Sequence, residues 1–213
     1  MVIAIDGPAA SGKSTVARKL AEKLPCTCLN SGILYRALTW QILHSGIDPA
    51  DQEAITFAVS RMQLELSVPP IGSPALQIDH HVPEFESHDN EVNAAVSKVA
   101  TVPAVRSCIT SLLRGFGKDR DVVMEGRDIG TAVFPDTPYK FYLDASPEIR
   151  RQRRAAQGLE DSIENRDRLD STRSIAPLSI ASDAHVIDTS NLTIDGVVDA
   201  IFEILTHASR DQQ

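Results

Sequence analysis

Short aliphatic runs alternate along the chain with longer segments in which apolar residues recur every three or four positions. The short runs end at polar or turn residues and predict strands at 2–5, 26–29, 121–125, 140–145 and 184–189. The longer segments predict helices at 14–24, 33–46, 50–61, 91–100, 103–116, 161–173 and 193–207, with an Arg-rich helix or loop at 147–157. Such alternation predicts an α/β fold, with a mainly parallel sheet and helices on both faces.

Residues 62–85 break this pattern. Polar and apolar residues alternate there, and prolines stand at positions 69, 70, 74 and 83. This texture predicts short antiparallel strands. A chain of 213 residues is long for one minimal domain and short for two. We therefore predict a single domain over 1–213, with a small inserted mixed β lobe at about 47–90 and an Arg-rich lid at about 147–175.

The charge balance narrows the classes of partner. Charged residues make up 23% of the chain and hydrophobic residues 42%, which is ordinary for a globular enzyme. The net charge of −8 argues against general binding to nucleic acid polymers or to anionic membranes. Seven of the 21 basic residues nevertheless fall between Arg150 and Arg173, so the predicted lid is locally cationic.

Cysteine usage and hydropathy indicate the compartment. Cys26, Cys28 and Cys108 have no His/Cys partner group at zinc-binding spacing, and we expect reduced, mostly buried thiols. We find no apolar run long enough to cross a bilayer, and Asp6 interrupts the first apolar run too early for a signal peptide. We predict a cytoplasmic protein without a membrane partner.

Residues 7–14, GPAASGKS, fit the spacing Gly-x-x-x-x-Gly-Lys-Ser, with a predicted strand before and a predicted helix after. The two glycines let the backbone approach phosphate oxygens, and the N–H groups that open the helix surround an anion. Lys13 is expected to reach the β- and γ-phosphates and Ser14 to ligate Mg²⁺. The predicted ATP-binding residues are Gly7, Pro8, Ala9, Ala10, Ser11, Gly12, Lys13, Ser14 and Thr15.

This loop alone leaves GTPases, motor ATPases and small-molecule kinases open, and a Gly-containing turn before an amphipathic helix is the non-functional alternative. We find no Asn-Lys-x-Asp guanine-binding motif in the chain, and motor ATPases are usually larger. The short chain and its Arg-rich segment favour a kinase with a closing lid, since a lid excludes water that would otherwise hydrolyse ATP.

Four further stretches carry polar residues at the ends of predicted elements. They are LNSGILYR (29–36), VPAVR (102–106), MEGRDIG (124–130) and ENRDRLDSTRSIAPL (164–178). In the last one, offsets of four and three predict that Arg166, Asp170 and Arg173 share one face of a helix. Together with IAIDGPAASGKST, these stretches resemble the bacterial cytidylate kinase family in order and spacing from Ile3 to Asp188, with the weakest match in 47–90.

The resemblance implies a role for each matching residue. Arg36, Arg127, Arg166 and Arg173 would hold the acceptor phosphate and the transferring phosphoryl group, which suits the planar, permanently charged guanidinium. Asp170 would accept from the sugar hydroxyl. Ser31, Ser97, Arg106 and Asp128 would recognise the base, where an Asp can accept from the N4 amine of cytosine. The catalytic set implied is Lys13, Arg127, Arg166 and Arg173.

Each of these residues also has a structural interpretation. Arg36 could be solvated, Ser31 a helix cap, and Arg106 part of a surface ion pair. Arg127 could pair with Asp128, and Asp170 with Arg173 within one helix. Of the lid arginines 150, 151, 153 and 154, we expect most to be solvated and one or two at most to touch ATP. We interpret His80 and His81 as surface residues.

Two positions depart from the family pattern. Asn30 stands where an Asp is usual, which removes a negative charge near the acceptor site. His88 stands near the place where the family often has an Arg after the insert. The resemblance implies a monomer that phosphorylates CMP and dCMP with ATP and Mg²⁺. The alternatives are another small-molecule kinase, for UMP, shikimate or a vitamin precursor, and a regulatory ATP-binding module without an acceptor.

Overall fold

The computed structural model describes residues 1–68, 73–85, 89–156 and 163–210. The side chains of 163–164 and 208–210 are not described. His88, the prolines at 69 and 70, and the middle of the predicted lid (157–162) lie outside the described residues.

Seven strands form two sheets. They are β1 (Val2–Asp6), β2 (Thr27–Asn30), β3 (Leu64–Ser67), β4 (Ala75–Ile78), β5 (Val122–Gly126), β6 (Tyr139–Asp144) and β7 (His185–Asp188). The main sheet has the order β2-β5-β1-β6-β7, and every neighbouring pair in it is parallel. The parallel α/β sheet predicted from the alternation of elements is therefore confirmed.

Eight α-helices surround this sheet in the described ranges. They are α1 (Lys13–Lys23), α2 (Ser31–His44), α3 (Gln52–Val59), α4 (Asn90–Val99), α5 (Pro103–Lys118), α6 (Pro147–Ala156), α7 (Ile163–Ser171) and α8 (Ile194–Arg210). Local chemistry explains several starts: the Asp51 and Asp89 carboxylates cap α3 and α4, and Pro103 opens α5. None of these helices is long and apolar enough to cross a bilayer.

Alternating strand residues divide the core into two layers. Ile3, Ile5 and Val123 face α1 and α8, where Leu20 and Ile201 are buried with them. Ala4, Met124 and other residues of opposite parity face α2, α4 and α5 in the second cluster. Since successive strand side chains point to opposite faces, burial on both sides explains why these strands are uninterrupted apolar runs.

The predicted insert packs against the body of the protein. β3 and β4 pair antiparallel, with Leu64 opposite Ile78, as the alternation of polar and apolar residues predicted. Leu76 and Ile78 are buried in the same cluster as Ala4 of the central strand. The hairpin is thus part of one continuous core layer within the described residues.

A single π turn follows β5 at Ile129–Val133, and the sequence analysis did not predict it. The N–H groups of Ile129 and Gly130 donate to the two carboxylate oxygens of Asp6, at 2.8 and 2.7 Å. The Arg114 side chain donates to the carbonyls at 132 and 133, at 2.8 and 2.9 Å. Side chains distant in sequence therefore satisfy backbone groups that the wide turn leaves free.

Candidate active site

Most of the predicted nucleotide residues meet in one cavity of about 720 Å³ at the carboxyl edge of the parallel sheet, while Gly7, Pro8, Ser11 and Arg106 are not among its lining residues. Parallel strands bring their carboxyl ends to the same edge, so β1, β2 and β5 deliver three of the predicted stretches to one place. Among the residues that line the cavity are Lys13, Ser14, Ser31, Arg36, Ser97, Arg127, Asp128, Arg166, Asp170 and Arg173. Asn30, at the end of β2, lines it as well.

The loop between β1 and α1 has the backbone of a phosphate cradle. Gly12 precedes α1 with a φ of 95°. A Cβ at Gly7 would lie 2.1 Å from the carbonyl oxygen of Leu143, so the close approach of β6 requires glycine there. Ala10 also has a positive φ, of 59°, which is uncommon for a residue with a side chain. The loop is therefore held in shape by its surroundings as well as by its glycines.

Lys13 is buried at the head of this loop. Its Nζ donates to the Pro8 carbonyl at 2.5 Å and to Ser11 Oγ at 3.2 Å. Burial, with the nearby Arg127 guanidinium, lowers the pKa of Lys13 from its usual 10.5 to about 7. Burial also raises the pKa of Asp6 to about 6, although its two backbone hydrogen bonds oppose the rise. Burial therefore sets most of the lowering of the Lys13 pKa, and neighbouring charges adjust it further.

The position of Ser31 excludes its interpretation as a helix cap. It is the first residue of α2, Asn30 occupies the N-cap position, and Ser31 Oγ donates to the Glu125 carbonyl at 2.9 Å. The interpretation of Ser31 as a helix cap is therefore wrong. A Cβ at Gly126 would lie 2.6 Å from Ser31 Oγ, so the glycine after the buried Glu125 lets β5 approach α2 closely.

Asp128 and Arg106 form a buried ion pair at the side of the cavity. Arg106 also donates to the Ala100 carbonyl at 3.2 Å, and its guanidinium lies 5.6 Å from the ring of Tyr35. The interpretation of Arg106 as half of a surface ion pair is wrong, since the residue is 3% exposed. Arg106 lies behind Asp128, while Asp128 and Ser97 line the cavity.

Asp170 lies between two arginines. Arg127 Nε donates to Asp170 Oδ2 at 2.9 Å, and Arg173 Nη2 lies 3.4 Å from Asp170 Oδ1. Arg127 therefore pairs with Asp170. The alternative from the sequence, in which Arg127 pairs with the adjacent Asp128, is wrong. Because α7 ends at Ser171, Arg173 lies beyond the helix, and the predicted helical segment to 173 is too long. The folded chain still brings the two side chains together.

Arg36 and Arg166 add positive charge to the same cavity. Arg36 is not solvated: its Nε donates to Asn93 Oδ1 at 3.3 Å and its Nη1 to the Gly32 carbonyl at 3.2 Å. Burial, then the neighbouring Arg166 and Arg127, lower the pKa of Arg36 to about 10. Cations held this close together repel one another, and a bound polyanion relieves that repulsion.

The lid arginines correct a further expectation. Arg150 is 9% exposed and pairs with Asp167, and Arg153 donates to the Thr189 hydroxyl and carbonyl at 3.0 and 2.7 Å. Most of the four arginines were expected to be solvated, but the amphipathic helix α6 turns Arg150 and Arg153 inward. Arg154 lines the cavity, and Arg151 is exposed.

The three cysteines and the described histidines do not line this cavity. Cys26, Cys28 and Cys108 are free thiols, as expected, and all three are half-buried, which is less than the expected degree of burial. Burial raises the pKa of Cys28 to about 12, which keeps it protonated. His80 and His81 are exposed, as expected.

The oxygen donors at the cavity suit Mg²⁺ that enters with a nucleotide. Ser14 and Glu125 both line the cavity. In the described part of the chain, no group of three or more His, Cys, Asp or Glu residues could hold a metal ion by itself. Mg²⁺ commonly takes one or two protein oxygens and completes its shell with water and substrate phosphates.

An apolar wall was missed by the sequence analysis. Tyr35, Val82, Phe85 and Val96 line the cavity and come from α2, the segment after β4, and α4. Burial raises the pKa of Tyr35 to about 12, so its hydroxyl stays protonated. Isolated apolar residues in a loop, such as Val82 and Phe85, carry no periodic signal. Only the fold places them opposite the polar residues.

Comparison with known proteins agrees with this geometry. The family model for cytidylate kinase matches residues 3–207. A cytidylate kinase of Corynebacterium efficiens is 42% identical over 224 residues, which cover 100% of this chain and 96% of the relative. One of Mycolicibacterium paratuberculosis is 41% identical over 221 residues, which cover 98% and 96%.

A longer relative also matches. A bifunctional pantoate ligase/cytidylate kinase of a Synechococcus species is 42% identical over 215 residues, which cover 95% of this chain and 44% of the relative. The chain thus spans less than half of that relative's length and nearly all of the two single-function relatives. A family match over most of the chain and identities above 40% lead to one conclusion: the chain belongs to the cytidylate kinase family.

Proposed function

We propose that this protein transfers the γ-phosphoryl group of ATP to CMP or dCMP, giving ADP with CDP or dCDP. One observation carries the proposal: the phosphate loop, a group of arginines and Asp128, which pairs with the buried Arg106 behind it, all border a single cavity. A cradle for a triphosphate therefore lies beside cations suited to a second phosphate and beside a polar group suited to a base. A regulatory ATP-binding module would need neither of the last two.

The chemistry requires positioning and charge neutralisation, with no strong general base. The acceptor phosphate is already an anion near neutral pH, so its oxygen attacks the γ-phosphorus in line as the bond to the ADP oxygen breaks. Lys13, Arg127, Arg166 and Arg173 would neutralise the charge on the transferring group. Ser14 would hold Mg²⁺ when the ion is bound, and the ion would supply further positive charge for the transferring phosphoryl group.

Recognition of cytosine would use the buried carboxylate. Asp128 can accept from the N4 amine of cytosine, whereas uracil has a carbonyl oxygen there and would meet repulsion. Arg106 orients Asp128 through their ion pair. Ser31 and Ser97 would donate to the other polar atoms of the base, and Asp170 would accept from the sugar hydroxyl.

The remaining assignments follow from position and charge. We propose that 147–175 acts as a lid and that the 47–90 insert helps to bind the monophosphate, because Leu76 and Phe85 line the cavity. We further propose a cytoplasmic monomer without nucleic acid polymer or membrane partners. The net charge of −8 argues against nucleic acid polymers and anionic membranes as partners.

The decisive experiment measures ADP release from ATP and Mg²⁺ with CMP, dCMP, UMP, AMP and shikimate in parallel. We expect rapid release with CMP or dCMP and at most slow release with the others. Rapid release with UMP or shikimate alone would identify a different small-molecule kinase. Slow ATP hydrolysis that no acceptor changes would contradict the proposal and favour a regulatory ATP-binding module.

A further inference from the structure

Ala9, the third residue of the phosphate loop, is bonded at both ends of its backbone by the lid. Its N–H donates to Asp167 Oδ1 at 3.2 Å, and its carbonyl accepts from Arg150 Nη1 at 3.4 Å. Asp167 comes from α7 and Arg150 from α6. Two elements more than 140 residues downstream in the sequence therefore grip one residue of the cradle.

The two side chains also bind each other. Arg150 Nη1 and Asp167 Oδ2 form an ion pair whose side chains are 10% and 18% exposed. Arg150 Nε donates to the carbonyl of Ala145, directly after β6, at 3.0 Å. A single guanidinium thus joins the end of the sheet, the phosphate loop and the lid. Arg150 uses two different nitrogens, Nε and Nη1, for these acceptors, whereas a lysine carries all its donors on one nitrogen and cannot replace both.

The residue next to the gripped one is strained. Ala10 has a φ of 59°, a left-handed conformation that costs on the order of 1 kcal/mol or more for a residue with a Cβ. Such a conformation persists only where the surroundings determine it. The contacts on Ala9 hold the preceding peptide and so help to keep the cradle in this shape.

Asp167 follows Arg166 directly and precedes Asp170 by one helical turn. Arg166 and Asp170 line the cavity, but neither Asp167 nor Arg150 is among its lining residues. One helix, α7, therefore carries both the Asp167 contact to Ala9 and the two residues that line the cavity, Arg166 and Asp170. The Asp167 carboxylate, with Glu125 and Asp6, also opposes the lowering of the Lys13 pKa.

We propose that Asp167 is a positioning residue for phosphoryl transfer: with Arg150 it fastens α7 to the phosphate loop at Ala9 and so sets the distance between the donor and acceptor phosphates. This inference rests on the proposed kinase function and adds to it a residue outside the predicted site. The clamp acts on alignment, so its loss lowers kcat far more than it weakens binding of the acceptor.

The test compares Asp167→Asn, Arg150→Met and the double variant in the ADP-release assay. A misplacement of about 1 Å can cost roughly 100-fold in rate, so we expect each single variant to lower kcat by about 10- to 100-fold. We expect KM for CMP to change by less than about threefold, because no contact to the acceptor is removed. The double variant should be no slower than the slower single one, since the two groups act as a unit.

Arg168→Met is the matched control, because Arg168 is exposed on the same helix as Asp167. Its guanidinium donates to Asn165 Oδ1, one turn earlier in α7. It should retain the wild-type kcat. Melting temperatures of all variants show whether they are folded under the assay conditions. If Asp167→Asn does not fold, Arg150→Lys decides: a kcat at least about fivefold lower supports the clamp, because a single nitrogen cannot replace both Nε and Nη1, and a smaller loss contradicts it.

Failure of this inference is distinct from failure of the proposed function. A wild-type protein that does not phosphorylate CMP contradicts the function itself. An active wild type together with Asp167→Asn or Arg150→Lys at wild-type kcat overturns the inference alone. It is also overturned if kcat is unchanged while KM for CMP rises, or if the two single losses multiply in the double variant.

Discussion

At the scale of single residues, burial determines how Lys13 and Asp128 work. Both are 4% exposed, although both types of side chain are usually solvated. Lys13 donates hydrogen bonds to the Pro8 carbonyl and the Ser11 hydroxyl in its own loop, and Asp128 forms an ion pair with Arg106. These environments make the charge of Lys13 sensitive to pH and hold Asp128 against Arg106.

The lowered pKa of Lys13 predicts how ATP use depends on pH. The folded protein holds the ammonium below about pH 7 and the neutral amine above it, whereas the unfolded chain keeps the proton up to about 10.5. Since a phosphate needs the ammonium, kcat/KM for ATP should fall as the pH rises above about 7, approaching tenfold per pH unit. The profile is measured from pH 6 to 9 at saturating CMP and Mg²⁺.

Lys13→Arg is the control for this profile. Its guanidinium stays charged over the whole range, so the variant should be slower than wild type but lack the alkaline fall. A flat wild-type profile between pH 6.5 and 9 would show that the buried lysine keeps its proton in the free protein.

Asp128→Asn should narrow the discrimination between CMP and UMP. The amide can donate to the uracil carbonyl that the carboxylate repels, so we expect the ratio of kcat/KM values for CMP and UMP to fall by at least about tenfold. Asp170→Asn is the matched control, because that carboxylate faces the predicted sugar site. It should slow both substrates and leave their ratio unchanged. An intact ratio in Asp128→Asn would place base recognition elsewhere.

At the scale of elements, local sequence signals predicted most of what forms. The strand before the phosphate loop, the helix after it and the antiparallel hairpin all follow from periodicity and turn residues. The π turn at Ile129–Val133 did not, because its backbone partners are Asp6 and Arg114, far away in sequence. The hydrogen bond of Ser31 was likewise not predictable from local sequence, because Ser31, the first residue of α2 after the N-cap Asn30, donates to Glu125 of β5.

Where β5 meets α2, we expect that adding one methyl group at Gly126 lowers the stability of the protein. In Gly126→Ala the new Cβ would lie 2.6 Å from Ser31 Oγ and 2.8 Å from Ile129 Cγ1, so side chains at the cavity must shift. We expect a loss of about 1 to 3 kcal/mol in the free energy of unfolding and a raised KM for CMP. Urea denaturation and steady-state kinetics measure the two effects.

Gly115→Ala is the counterpart within a helix. Gly115 lies inside α5, and a Cβ there would meet no atom within 4 Å. The substitution should stabilise the protein by roughly 0.5 to 1 kcal/mol, since alanine loses less backbone entropy in a helix. If both glycine variants had the same stability as wild type, the close contact at 126 would not be restrictive.

At the scale of the whole molecule, buried apolar layers hold the domain together and the surface charges contribute little. Lys19 on α1 pairs with Asp195 on α8 at 2.6 Å, with side chains 41% and 75% exposed. Ile201 on the same α8 is fully buried against the sheet. The two contacts join the same helix to the same body, so they can be compared directly.

Lys19→Ala should lower the free energy of unfolding by less than about 1 kcal/mol, because water screens the exposed pair. Ile201→Ala should cost about 2 to 5 kcal/mol, since it leaves a cavity in the layer between sheet and helices. Urea unfolding of both variants at moderate salt measures the difference. A larger loss for Lys19→Ala than for Ile201→Ala would contradict this account of the packing.

The sequence by itself determined the parallel α/β fold, the position of the phosphate loop and most of the polar residues that line the cavity. These depend on periodicity and motif spacing, which local sequence carries. Tertiary structure alone decided the partner of each charge: Arg106 holds Asp128, Asp170 lies between two arginines, and Arg150 joins Asp167 to Ala9. Those pairings depend on distances between side chains of different elements, and packing of the whole chain sets these distances.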